Sequence, residues 1–126
     1  MPTTLNLTPE QIARYRESAH KRFQREKADI EHRREQAWQE AKRASRILKK
    51  QFGATRVVVF GSLVRKAGFT RWSDVDIAAW GIAPDDTFSA IGVISELDSD
   101  VAINLVDVNT ARTSLLEVIE RDGIEL

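Results

Sequence analysis

Val57-Val58-Val59-Phe60-Gly61-Ser62 is followed, past a basic segment with Arg65 and Lys66, by Ser73-Asp74-Val75-Asp76-Ile77-Ala78-Ala79. β-Branched and aromatic enrichment predicts a short buried strand over 56–60 and a second over 73–80. Alternation along a strand puts Asp74 and Asp76 on one face, with Cβ atoms about 7 Å apart. Two carboxylates so placed suit Mg²⁺ or Mn²⁺, which complete their shells with waters and substrate phosphates. Gly61 lets the chain approach a phosphate with no Cβ in the way. The N–H groups around Ser62, with its hydroxyl, can form an anion site at the start of the next helix. Arg65, Lys66 and Arg71 lie between the two elements, where they can offset phosphate charge. A lone Asp-x-Asp is ordinarily a turn, and Gly-Ser after a strand is ordinarily the same. Together, on neighbouring strand ends, they point to a site for a nucleoside triphosphate.

Toward the C-terminus, Gly81 to Pro84 reads as a loop and Asp85 or Asp86 as the cap of a helix. Its apolar positions Phe88, Ile91, Ile94 and Leu97 recur every third residue, and the polar Asp98-Ser99-Asp100 ends it. Val101 to Val108 reads as a third strand. Ser114-Leu115-Leu116-Glu117 is a capping box for a helix ending at Gly123, and Ile124-Glu125-Leu126 suits a short edge strand.

Toward the N-terminus, Thr8-Pro9-Glu10-Gln11 is a capping box with Pro at the first helical position, and the next stop is Gly53. An unbroken helix over 9–51 is about 65 Å long at 1.5 Å per residue, more than a small core covers, so a break or a partner is expected. Its apolar residues form two sets. Ile12, Tyr15, Ala19 and Phe23 come early, and Ala37, Trp38, Ala41, Ala44, Leu48 and Phe52 come late with the spacing of a packed face. Gln24 to Gln36 between them reads as solvent-exposed. The early set needs another chain to bury it, and self-association through this helix is one way.

The chain has 126 residues, which suits one domain, and no Cys, which excludes disulfides and thiolate metal sites. No apolar run approaches a membrane span, and Met1-Pro2-Thr3-Thr4 lacks the start of a signal peptide, so the expected location is cytoplasmic. The zero net charge conceals a division: residues 1–56 carry 14 Lys and Arg against 7 Asp and Glu, while residues 57–126 carry 5 against 12. Such asymmetry marks either a solvated basic helix or a docking or nucleic-acid surface.

Phe60-Gly61-Ser62 and Ser73-Asp74-Val75-Asp76-Ile77 resemble the signature of the minimal nucleotidyltransferases of the DNA polymerase beta superfamily. The resemblance continues through Ile103-Asn104-Leu105-Val106-Asp107 and Leu115 to Leu126, and covers roughly residues 40 to 126. It implies an α+β fold, a mixed sheet flanked by helices, here preceded by a long N-terminal helical arm (1–36, with the nucleotidyltransferase domain at 37–126). It also implies Mg²⁺-dependent transfer of a nucleoside monophosphate from ATP, with Asp74 and Asp76 as metal ligands and catalytic residues. Gly61 and Ser62 would cradle the β and γ phosphates, with Arg65, Lys66 and Ser73 alongside. A HEPN-type partner protein is implied as acceptor, in the manner of a toxin–antitoxin pair.

Two departures bear on this. Eleven residues separate Ser62 from Asp74 where the family has ten, which a one-residue insertion near Lys66-Ala67-Gly68 absorbs. Asn104 stands where the family places a third acid. Asn carries no charge and cannot accept a proton in an acid's manner. Asp107 is three residues on and faces the other way; Asp100 has the right parity but precedes the strand. Three functions therefore compete: transfer of AMP to a partner protein, nucleotide binding with weakened chemistry in an antitoxin that neutralises its partner by contact, and RNA-directed transfer guided by the basic helix.

Other features read as structural. The Arg14–His20 and Arg25–His32 spacings resemble a HEPN ribonuclease pattern but arise by chance in an Arg-rich helix, and both His residues read as solvated. Trp38 and Trp80 read as core anchors, Trp72 as packing or a wall for a base. A glycosyltransferase also uses Asp-x-Asp, but the short chain and the upstream Gly-Ser disfavour it.

Overall fold

The computed structural model describes residues 7–65, 68–97 and 100–126. It is a mixed α+β structure with a long N-terminal helix and a four-stranded mixed sheet. In chain order the elements are α1 (Pro9–Gln51), β1 (Arg56–Phe60), β2 (Val75–Trp80), α2 (Thr87–Ser95), β3 (Ile103–Asp107), α3 (Thr113–Asp122) and β4 (Ile124–Glu125). One-turn 3₁₀ helices cover Gly61–Val64 and Pro84–Asp86.

The sheet order is β3-β2-β1-β4; β1 runs antiparallel to β2 and β4, and β2 runs parallel to β3. Alternation divides its side chains between two layers. Val57, Val59, Val75, Ile77 and Ile103 face α1 and α2, while Val58, Phe60 and Ala78 face Ile119 of α3. The expected edge strand forms, with Val59 opposite Ile124.

α1 is one unbroken helix of 43 residues, so of the two alternatives, a break or a partner, the break does not occur. Nothing between Glu10 and Gln51 interrupts it: the stretch has no Pro or Gly and is dense in strong helix formers, with pairs such as Glu17–Lys21 at 3.4 Å. Thr8 caps it as the capping box predicts, its hydroxyl accepting from the Gln11 N–H. Ala37, Ala41, Ala44 and Leu48 are fully buried, and three alanines in that row let the helix lie close on the sheet. The polar middle is less exposed than its composition suggests, because Ile30 packs on the core and Arg33 and Arg34 are half-buried.

Of the apolar positions expected along α2, Ile94 is fully buried and Leu97 packs on the core just past the helix end, while Phe88 turns out to solvent, because a three-residue spacing drifts around a helix of 3.6 residues per turn. Ala90, four residues before Ile94, completes the buried face, and Phe88 is 87% exposed. The Ser114 capping box does not form; α3 starts two residues earlier, with Arg112 at the cap position and no side-chain cap. Trp38 and Trp80, expected as core anchors, are half-buried and pack against the core, with the Arg56 guanidinium 4.5 Å from the Trp80 ring centre.

Gly123 ends α3 where the chain passes close against β1. A Cβ there would collide with Val58 Cγ1 and the Ile119 carbonyl oxygen.

Candidate active site

The C-terminal end of β1 and the N-terminal ends of β2 and β3 meet at one edge of the sheet, on the α3 side. Register brings Asp76 opposite Phe60 on one flank and Asn104 on the other. β2 begins at Val75 rather than Ser73, so Asp74 lies on the approach to the strand, exposed, while Asp76 lies within it, half-buried.

Asp76 is held on both sides. The Asn104 Nδ2 donates to Asp76 Oδ1 at 3.2 Å. Gly61 sits against the other oxygen: its φ is +79°, and a Cβ there would lie 2.6 Å from Asp76 Oδ2. Glycine is therefore required twice at position 61, for the left-handed backbone and for the room. Burial pushes the Asp76 carboxyl above its usual range and the Asp74 charge adds to this, while the Asn104 amide opposes both.

Gly61→Ala should lower stability by about 1–3 kcal/mol, the usual cost of backbone forced into an unfavourable region. It should also shift the Asn104 side-chain amide resonances as Asp76 is displaced. Thermal unfolding and an amide NMR spectrum check both; unchanged Asn104 resonances would show that Gly61 does not hold the carboxylate.

Ser62, half-buried, follows in the 3₁₀ turn. Ser73 closes a turn: its hydroxyl accepts from the Thr70 N–H at 2.9 Å. That turn carries Trp72 outward, 82% exposed, with the Arg71 guanidinium 5.9 Å from its ring centre. Arg65 is exposed and lies near enough to Asp122 to assist Arg121 in keeping that carboxylate ionised. Lys66 and the expected insertion around Ala67 lie outside the described residues, as do Asp98 and Ser99 of the expected turn. Asp107 is engaged elsewhere, accepting from the Asn109 N–H at 3.0 Å and the Thr110 hydroxyl at 3.2 Å.

Sequence reasoning missed two residues of this edge. Arg33 donates to the carbonyl oxygens of Asp100 at 3.1 Å and Ser73 at 3.4 Å, the residues that lead into β3 and toward Asp74. Its neighbour Arg34 donates to the Leu63 carbonyl at 3.1 Å, in the turn after Gly61-Ser62. The long helix thus binds all three segments that frame the site. No sequence signal distinguishes these two arginines from their solvated neighbours.

Two carboxylates, a glycine pressed on one of them and a short turn beside it fit a divalent cation that arrives with a triphosphate. Mg²⁺ commonly takes one or two carboxylates and draws its other ligands from phosphate and water. Among the described residues no group of three or more His, Cys, Asp or Glu side chains is placed to hold a metal without such a substrate. No described helix is long and apolar enough to cross a membrane. In comparisons with known proteins, no family model matches the chain and no curated protein matches it significantly.

Proposed function

We propose that this chain is a Mg²⁺-dependent nucleotidyltransferase that moves AMP from ATP to a partner protein, within a polymerase beta-like fold. The observation that carries the proposal is the packing of Gly61 on Asp76, with Asp74 two residues before it at the same sheet edge. Gly61 and Ser62 take the β and γ phosphates, and Asp74 and Asp76 hold the metal. The bound metal supplies charge neutralisation at the phosphate oxygens. An acceptor hydroxyl, giving its proton to water because position 104 is Asn, attacks the α phosphorus, the bond from that phosphorus to the oxygen bridging to the β phosphate breaks, and pyrophosphate leaves. Trp72 and Arg71 stand beside the site as a stacking surface for the base. The HEPN type of partner and the antitoxin role rest on the family resemblance.

Asn104 favours a second function, nucleotide binding with reduced turnover. Its amide donates to Asp76 where a third acid would take the acceptor's proton. Incubation with α-labelled ATP, Mg²⁺ and a candidate partner should label the partner slowly. Asn104→Asp should accelerate labelling by about 10²-fold, the low end for a general base. Absence of ATP binding in equilibrium dialysis, in wild type and variant alike, would overturn both functions. Binding with no labelling in the wild type and labelling in Asn104→Asp would select the second.

A further inference from the structure

The chain bears two apolar surfaces that nothing in the described residues covers. The first is on α1. Ile12 and Leu48 are ten helical turns apart, so they lie on one face, and Ala19, Phe23, Ile30, Ala37 and Ala41 fall on it between them. From Ile30 onward that face is packed on the core. Before it, the same face continues for about 30 Å as a projecting arm, at 1.5 Å per residue. Tyr15 is 70% and Phe23 64% exposed there. Arg16, Arg22 and Lys27 flank the stripe, with Glu26 among them, and the arm over 9–29 carries six Lys and Arg against four Asp and Glu.

The second surface is the outer side of α2. Phe88 is its prominent side chain, and Gly92, one turn on, leaves open space beside it, with nothing within 4 Å of where a Cβ would stand. The rim is acidic, with Asp85 and Asp86 before the helix and Glu96 after it, all exposed. Eight Asp and Glu residues, with no Lys or Arg, lie between Trp72 and Ala111.

We infer that the arm of one copy of this chain docks on α2 of a second copy, laying Tyr15 and Phe23 over Phe88 and Gly92, with the basic flanks of the arm against the acidic rim. Charge selects this pairing over two arms packed together, since arm against arm would bring Arg16 and Arg22 toward the same residues of the other copy. Size selects a reciprocal arrangement. One nine-residue helix under a few turns of arm is a small contact, whereas two-fold exchange doubles it toward the roughly 1,200 Å² of a specific interface. This arrangement is independent of whether the chain handles nucleotides.

The full chain should be dimeric in sedimentation equilibrium, with a dissociation constant that rises in salt. Phe88→Glu, and separately Tyr15→Glu with Phe23→Glu, should each weaken the dimer by about tenfold or more while circular dichroism stays unchanged. The absence of native Cys permits a sharper test. Phe23→Cys and Phe88→Cys proteins, mixed and treated with a short bis-maleimide, should yield a linked heterodimer, and neither alone should yield a homodimer. A monomer at every concentration would overturn the inference. So would Phe23→Cys homodimers, or a dimer indifferent to Phe88→Glu, because either means that the arms pair with each other.

Discussion

Asp74→Ala combined with Asp76→Ala is expected to abolish labelling of a partner from ATP, by about 10³-fold or more, the scale of losing the charge stabilisation of a transferring phosphoryl group. Mg²⁺-dependent ATP binding should disappear with it. The two side chains are the acids available at this sheet edge, since Asp107 caps a turn and position 104 is Asn. Labelling by the double variant at the wild-type rate would end the nucleotidyltransferase proposal. Asp76→Asn adds a readout that no acceptor is needed to obtain. The folded protein raises the Asp76 pKa, chiefly by burial, so the ionised carboxylate disfavours folding at neutral pH. The sign follows by linkage: stability is lost as pH rises through the carboxylate range, and is recovered when the group is protonated. In chelator-treated buffer, Asp76→Asn should therefore raise the melting temperature near pH 7, with the gain vanishing toward acid pH. Asparagine retains an oxygen to accept from Asn104, so that hydrogen bond persists. A lower melting temperature at pH 7 would mean that Asp76 is stabilised by partners other than Asn104.

Gly123→Ala is expected to have the largest effect on folding. The substituted methyl group has no free volume, because it would overlap Val58 on the central strand β1 and the Ile119 carbonyl that accepts the Gly123 N–H at 2.9 Å. Either β4 moves off β1 or the last turn of α3 opens. Overpacking of this kind costs about 1–3 kcal/mol, and the backbone partner places this case at the upper end. For a chain of this size that corresponds to a fall of about 10 °C in melting temperature. Thermal unfolding measures it directly, and a change of less than a degree would show that the α3–β1 contact is looser than its geometry.

Much of the framework follows from local chemistry. β1 consists of Arg56 followed by β-branched and aromatic residues, and its burial needs no information from elsewhere in the chain. The capping box at Thr8 and the alanine row from Ala37 are likewise local, since cap geometry and helical periodicity act within a turn or two. Three-residue spacing did not say which apolar positions of α2 are covered: Ile94 is buried and Phe88 is exposed. Length left α1 with two alternatives, a break or a partner, because whether a long polar helix breaks depends on what covers its ends.

The candidate site divides along the same line. Gly61, Asp74 and Asp76 were legible as residue types whose spacing suits phosphate and metal, because glycine's freedom and strand alternation are properties of the chain itself. Their contact was not legible: the collision of a Cβ at Gly61 with Asp76, and the Asn104 amide on the opposite oxygen, come from pairing between three strands distant in sequence. Arg33 and Arg34 belong wholly to tertiary structure. Only the docking of α1 turns two of its many arginines toward the carbonyls of Ser73, Asp100 and Leu63. The sequence by itself determined which groups can meet a triphosphate, since that is a matter of side-chain chemistry and local backbone. Tertiary structure alone decided how they are held, since register and helix docking are set by burial of the whole core.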